Sequence, residues 1–314
     1  MKIIKFKAKN NFELGQKLGA YFGARLRKLI ASRKTQGLNT KHALKYLPPT
    51  EEAFPYLIEE LKGYALAAKV DWEDLWTLGL EEDASGSTPP KEKCTSIINN
   101  GLVGHTEDWF TKNANDLFFV EKQIGDLKIL EFFYFYTLGG NAFSVNSNGI
   151  ILLTNSLATK DTQVGVPNHI IARWLSKTAD PEKDFQKLKK IKRAGGENYI
   201  FINNKGDIHC LETSAKKECL FSPPQPFVHT NHYLSNLVAE EAYRSESSIM
   251  RFNVAKRLAP TITTVEDLKN VLSQPPIFRN NEKDLTIATA IVDLYKKVLH
   301  YRVNKEFGKI SIDF

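Results

Sequence analysis

The chain has 314 residues, of which 42% are hydrophobic and 25% charged, enough to bury a substantial core and too ordinary for a disordered, collagen-like or disulfide-scaffold protein. No apolar run reaches the roughly 20 residues of a transmembrane helix, and residues 1–7 alternate charged and apolar side chains where a signal peptide needs an unbroken apolar stretch. The net charge of +7 is uneven: residues 1–45 carry twelve Lys/Arg against one acid, while residues 46–93 carry four against eleven. A basic excess confined to one segment beside an acidic one reads as two surfaces that neutralise each other rather than as a nucleic-acid patch.

In chain order, Ile4, Phe6 and Ala8 alternate with lysines, as in a strand with one buried face. Leu18, Tyr21, Phe22, Leu26, Leu29 and Ile30 recur at helical steps. Pro48-Pro49-Thr50-Glu51-Glu52 starts a helix that Leu57, Ile58, Leu61 and residues 64–68 continue, and Asp71-Trp72-Glu73-Asp74-Leu75 starts a shorter one. The stretch 83–93 is small, polar and contains two prolines, which predicts an exposed linker.

Beyond it the pattern changes. Residues 94–98 and 102–106 flank Asn99-Asn100-Gly101, a strong hairpin signal. Strands are expected at 117–123, 128–137, 142–146 and 150–155, helices at 166–178 and 181–191, and a second hairpin at 198–203 and 207–213. Helices at 247–258 and 265–272 precede strands at 286–293 and 297–303. Helices bracketing a strand-rich middle predict an α+β chain with antiparallel sheets. The aromatic run 132–136 reads as alternating core.

Gly-x-Gly-x-x-Gly, Gly-Lys-Ser/Thr, Gly-x-Ser-x-Gly and Cys-x-x-Cys are all absent, which argues against nucleotide, serine-hydrolase and zinc-finger chemistry. His229 and His232 lack further ligands at a metal-site spacing, so neither a metal nor another cofactor is expected. Three cysteines, Cys94, Cys210 and Cys219, cannot all pair and read as free thiols of a reducing, cytoplasmic setting.

Cys94 stands apart because it opens the first strand after the linker. The string Cys94-Thr95-Ser96, the hairpin, and Glu107-Asp108-Trp109 resemble the start of a mature N-terminal-nucleophile hydrolase subunit. The match is to the acyl-CoA:6-aminopenicillanic-acid acyltransferase (C45 peptidase-like) family. Residues 57–65 and 70–75 are similar to its helical segment before the cysteine. Asn146-Ser147-Asn148-Gly149, Thr154-Asn155-Ser156-Leu157, Gly165-Val166-Pro167 with Arg173, and His229-Thr230-Asn231-His232-Tyr233 resemble its later motifs in order and spacing.

The resemblance implies a four-layer αββα fold and self-cleavage between Lys93 and Cys94. It would leave a mostly helical segment 1–93 and a catalytic segment 94–314 that pack as one domain. It also implies that Cys94 is the nucleophile, Asp108 the carboxylate holding its α-amine and Asn155 the oxyanion donor, with His105, Asn231 and Arg251 in support. The chemistry suits these residue types. An α-amine of pKa about 7.7–8.0 takes a proton from a thiol of pKa about 8.5, so one N-terminal residue supplies both nucleophile and base. A backbone N–H near Gly104-His105 is expected as a second oxyanion donor.

Two departures stand out. Where the family often has an arginine this chain has Ile249, with Arg251 two positions on, and Lys93 replaces a small residue before the nucleophile. The expected activity is therefore attack on a linear amide, in an N-acyl amino acid, small peptide or acylated amine, through an acyl-thioester on Cys94. The alternatives are acyl transfer from acyl-CoA at the same site, a cysteine peptidase whose base is His105, His229 or His232, and a non-enzymatic module binding nucleic acid through residues 1–45. The expected partner is a small amide substrate, without nucleic acid or membrane, and self-association of the chain is left open.

Overall fold

A computed structural model describes residues 3–80, 94–281 and 284–312. The linker at 83–93, and Lys93 with it, lie outside the described residues. β1 (Ile4–Ala8) leads into α1 (Asn11–Thr35). The Asn10 side chain accepts from the Glu13 amide, and Arg33 and Lys34 occupy the last turn, so both helix ends are electrostatically matched. α1 buries Leu14, Leu18, Phe22, Leu26 and Ile30. Tyr21, expected on that face, is 57% exposed and lies edge-on against Phe6 and Phe22.

After α2 (Thr40–Ala43), the helix expected from Pro48 to residue 68 is broken in two, α3 (Leu47–Ala53) and α4 (Pro55–Ala68). Pro55 has no amide hydrogen and forces Phe54 out of helical geometry, to φ −141° and ψ 58°. α4 then lies unusually close to α1. Gly15, Gly19 and Gly23 form a stripe at four-residue steps; a Cβ on Gly15 would sit 1.9 Å from the Glu60 carbonyl oxygen, and one on Gly19 2.3 Å from that of Tyr64. The glycines let the two backbones touch. α5 (Trp72–Gly79) is capped by Asp71, and the opposite charges of the two N-terminal segments meet directly in the Lys34–Asp74 ion pair at 2.5 Å.

The hairpin of β2 (Thr95–Asn99) and β3 (Leu102–Phe110) turns at Asn100 and Gly101, with φ of 49° and 71°. Positive φ at both central residues is what a two-residue turn needs to match strand twist. β4 (Leu117–Ile124), β5 (Leu127–Tyr134), β6 (Phe143–Asn146) and β7 (Ile151–Leu157) precede α6 (Asn168–Leu175) and α7 (Pro181–Leu188). β8 (Gly196–Ile202), β9 (Ile208–Thr213), β10 (Glu218–Phe221) and β11 (Phe227–His229) follow. The chain then forms α8 (Glu246–Leu258), α9 (Val265–Leu272), β12 (Asp284–Asp293), β13 (Val298–Val303) and β14 (Glu306–Ser311). β10 and β11 are too short to stand out in the sequence, and β14 is mostly polar and largely exposed, without a buried alternating face to mark it.

One sheet runs β1-β4-β5-β6-β7-β8-β9-β10 and the other β11-β2-β3-β12-β13-β14. Every described pair of strands is antiparallel except β1 with β4. Alternation assigns the faces. Phe133 and Phe135 join the core under α1 and α4, while Phe132 and Tyr134 join the core between the sheets. Ile97 packs with Ala255 of α8 and Leu268 of α9, while Ile98 faces the other sheet. The order is helices, sheet, sheet, helices: the four-layer αββα arrangement. Beneath the first helical layer, Arg173 of α6 pairs with Glu60 of α4 at 2.9 Å, and Lys122 pairs with Glu131, all four fully buried.

Candidate active site

The hairpin register organises the site. Asn99 pairs with Leu102, Ser96 with His105 and Thr95 with Thr106, so the next position outward puts Glu107 opposite Cys94. Residues paired across a strand and two apart along it share a face. Cys94, Ser96, His105 and Glu107 therefore point into the layer between the sheets, whereas Thr95, Thr106 and Asp108 point toward α8 and α9.

Cys94 is buried, and its thiol donates to Glu107 Oε2 at 2.9 Å. Tyr134 of the facing sheet donates to the other carboxylate oxygen, Oε1, at 2.5 Å. Burial raises the Cys94 thiol well above its ordinary pKa, and the charges of Glu107, Asp108 and Glu197 raise it further. The resting side chain is thus a protonated thiol. Cys94 also has φ of 78°, a backbone region that disfavours a residue with a side chain by roughly 1–3 kcal/mol.

Asn155 reaches the thiol face from β7 in the opposite sheet. Its Oδ1 accepts from Ser96 at 3.2 Å and from Asn198 at 3.1 Å, which fixes the amide orientation. The Nδ2 group is buried and has no hydrogen-bond partner among the described residues. On the other face, Thr286 donates to Asp108 Oδ1 at 2.6 Å, and Oδ2 is buried without a partner among the described residues. Burial pushes the Asp108 carboxyl above its ordinary value, and Arg251 beside it pulls the other way.

Arg251 projects from α8 into the hairpin. It donates to the Cys94 carbonyl oxygen at 2.6 Å, to Thr95 Oγ1 at 2.9 Å and to Asn231 Oδ1 at 2.8 Å. The arginine that seemed displaced in sequence therefore has its guanidinium against Cys94, because α8 runs past the end of β2. Asn231 is in turn tied to Ser156 and Ser248, so it holds Arg251 rather than facing the thiol.

The histidines are placed differently from one another. His105 Nδ1 bonds Ser96 Oγ at 2.9 Å, and burial drops its pKa to about 3. His229 is engaged at both ring nitrogens, by Glu212 and the Thr230 carbonyl, and His232 at Nδ1 by Thr230 and Ser248, with burial lowering His232 to about 4. Among the described residues no histidine hydrogen-bonds the Cys94 sulfur. Cys94, His105 and Glu107 do bring three metal-competent atoms within 4.8 Å of one another, a grouping the spacing argument did not anticipate. The backbone donor expected near Gly104-His105 is not available there. Both residues sit in β3 between β2 and β12, where amides are committed to the ladder. Cys210 donates to Asn198, and the described cysteines are free thiols.

Glu107, Ser96, Thr286 and Tyr134 were missed as site residues. A signal for the first two was present: counting outward from the Asn-Gly turn puts Glu107 and Ser96 on the Cys94 face. Tyr134 and Thr286 come from distant strands and carry no local signal. No described helix is long and apolar enough to cross a membrane.

Known proteins resemble the chain in sequence and in structure. It is 27% identical to the β-alanyl-dopamine/carcinine hydrolase of Drosophila melanogaster, with 57% of this chain and 55% of that protein matched, so it spans about half the length of that relative. Among solved structures, a mutant of the conjugated bile acid hydrolase of Clostridium perfringens matches at 14% identity. The match covers 70% of this chain and 92% of that one, at a TM-score of 0.46. The penicillin V acylase of Agrobacterium tumefaciens matches at 12% identity over 70% of this chain and 86% of its own, also at 0.46. Residues 97–306 match the family described as acyl-coenzyme A:6-aminopenicillanic acid acyl-transferase. Two thirds of the chain fall within that match, so the protein belongs to this N-terminal-nucleophile family.

Proposed function

We propose that the protein is an amide-bond hydrolase that works through Cys94 after the peptide bond before Cys94 has been cut. One observation carries this reading: a donor, Asn155 Nδ2, and an acceptor, Asp108 Oδ2, lie buried and unspent among the described residues on the two faces of the sheet at the end where Cys94 sits. Burying polar atoms without partners is costly, so such atoms are kept where a ligand or a new chain end will satisfy them.

Once Cys94 is a chain start, its α-amine takes the thiol proton and sulfur attacks the substrate carbonyl. Asn155 Nδ2 donates to the oxyanion. Asp108 Oδ2 accepts from the α-ammonium, which then protonates the leaving amine. Water, activated by the same amine, hydrolyses the acyl-thioester. Cutting at Cys94 also removes its strained φ, since a first residue has none.

The substrate we assign is an acylated amine whose acyl part carries an ammonium. The carboxylates of Glu107 and Glu197 near the thiol suit a cation, and the name of the Drosophila relative states a β-alanyl amine substrate. Water is the acceptor in this reading, and an acyl-CoA assay tests transfer directly.

Intact mass and N-terminal sequencing of untagged protein test the reading. Wild type should give fragments of about 10 and 25 kDa, scaling mass with chain length, the larger beginning at Cys94, and Cys94→Ala should stay whole. An active wild-type chain that stays whole would sink the N-terminal amine mechanism.

A further inference from the structure

In the intact chain the nitrogen of Cys94 is an amide without a basic lone pair, so the base used in turnover does not yet exist. Something else must take the thiol proton if the chain is to cut itself. The groups around the sulfur narrow the choice. His105 bonds Ser96 through Nδ1, and its buried ring resists a proton. Asp108 lies on the opposite face of the sheet, held by Thr286. Glu107 Oε2 touches the sulfur at 2.9 Å, and Tyr134 grips the other oxygen from the second sheet, which aims the carboxylate.

We infer that Glu107 is the base for self-cleavage: it accepts the Cys94 thiol proton while sulfur attacks the carbonyl carbon of the preceding peptide bond. This rests on the reading of Cys94 given above and adds a second base to it. The steps balance. A carbon–sulfur bond forms as the proton passes from Sγ to Glu107 Oε2. The carbon–nitrogen bond breaks as that proton moves on to the departing nitrogen, leaving a thioester and a free α-amine. Water then hydrolyses the thioester, returning the thiol and giving the preceding segment a carboxylate end. A carboxylate is a weak base for a thiol, but self-cleavage happens once per chain and tolerates a slow step. The strained φ of Cys94 raises the starting amide toward the transition state.

The test follows cleavage of freshly synthesised full-length chain in a cell-free translation mixture, by denaturing gel, for wild type, Cys94→Ala, Glu107→Gln and Glu107→Asp. Glu107→Gln should slow conversion by about 10²–10⁴-fold, the usual contribution of a positioned base. Glu107→Asp, which keeps a carboxylate farther from sulfur, should fall between Glu107→Gln and wild type. Hydroxylamine separates the steps, because it cleaves thioesters. It should not rescue Glu107→Gln, in which no thioester accumulates.

Wild-type conversion in Glu107→Gln, or its rescue by hydroxylamine, overturns the assignment. Thermal melting against Cys94→Ala reports folding; if Glu107→Gln does not fold, Glu107→Asp decides, and a wild-type rate there counts against Glu107. A wild-type chain that is active yet never cut instead defeats the parent reading. The two failures are therefore distinguishable.

Discussion

At the scale of single residues, two side chains that look alike on paper are asked to do different things. Asn155 and Asn198 are neighbours across β7 and β8 and bond each other, yet only Asn155 keeps an unspent N–H₂ near the thiol. Asn155→Leu should therefore lower kcat by roughly 10²–10³-fold with KM little changed, because an oxyanion donor is used only in the transition state. Steady-state kinetics on cleaved enzyme reads this, and an equal loss in KM would assign Asn155 to ground-state binding. The base should show in the pH profile. With the Cys94 α-amine as base, kcat/KM rises through a limb near about 7.7–8.0. His105→Gln should leave that limb in place; its disappearance would favour a histidine-based cysteine peptidase.

At the scale of elements, the hairpin and the paired helices show two kinds of legibility. The Asn100-Gly101 turn fixes register, and register alone puts Glu107 across from Cys94 and sends Asp108 to the other face. That arithmetic was available from the sequence. The break between α3 and α4 was also encoded, in Pro55, but it was hidden by apolar residues that kept helical spacing across it. The glycine stripe of α1 is different. Gly15, Gly19 and Gly23 look like helix-weakening positions until α4 is known to lie against them. Gly15→Ala should then cost stability instead of adding helix propensity, by about 1–3 kcal/mol, since the new methyl meets the Glu60 carbonyl. Chemical denaturation measures this, and a gain in stability would show that the helices separate without cost.

Across the whole molecule, the buried Arg173–Glu60 pair joins the N-terminal helices to the sheet region. If the chain is cut before Cys94, this contact links two separate polypeptides. Burial alone would raise the Glu60 carboxyl, but Arg173 and Lys122 more than offset that and hold it below its ordinary value of 4.5. A lowered carboxylate stabilises the fold above its unfolded pKa and loses that contribution as pH falls through the folded value. Stability should therefore drop on acidification below about 4.5, a carboxylate's unfolded value, and Glu60→Gln should flatten that drop. At neutral pH the same change strands the Arg173 charge and should cost about 3–5 kcal/mol. Urea titrations at several pH values measure both, and an unchanged acid limb would mean that other carboxylates carry it.

The sequence by itself determined most of the strands and helices, the hairpin turn and the family, because these rest on periodicity, turn chemistry and ordered motifs within short spans. Tertiary structure decided which atoms meet. Arg251 comes to Cys94 from 157 positions away and Thr286 to Asp108 from 178, contacts that depend on how layers stack. Side-chain alternation assigns a face within a strand, but only the packing of one sheet on another says what that face encounters.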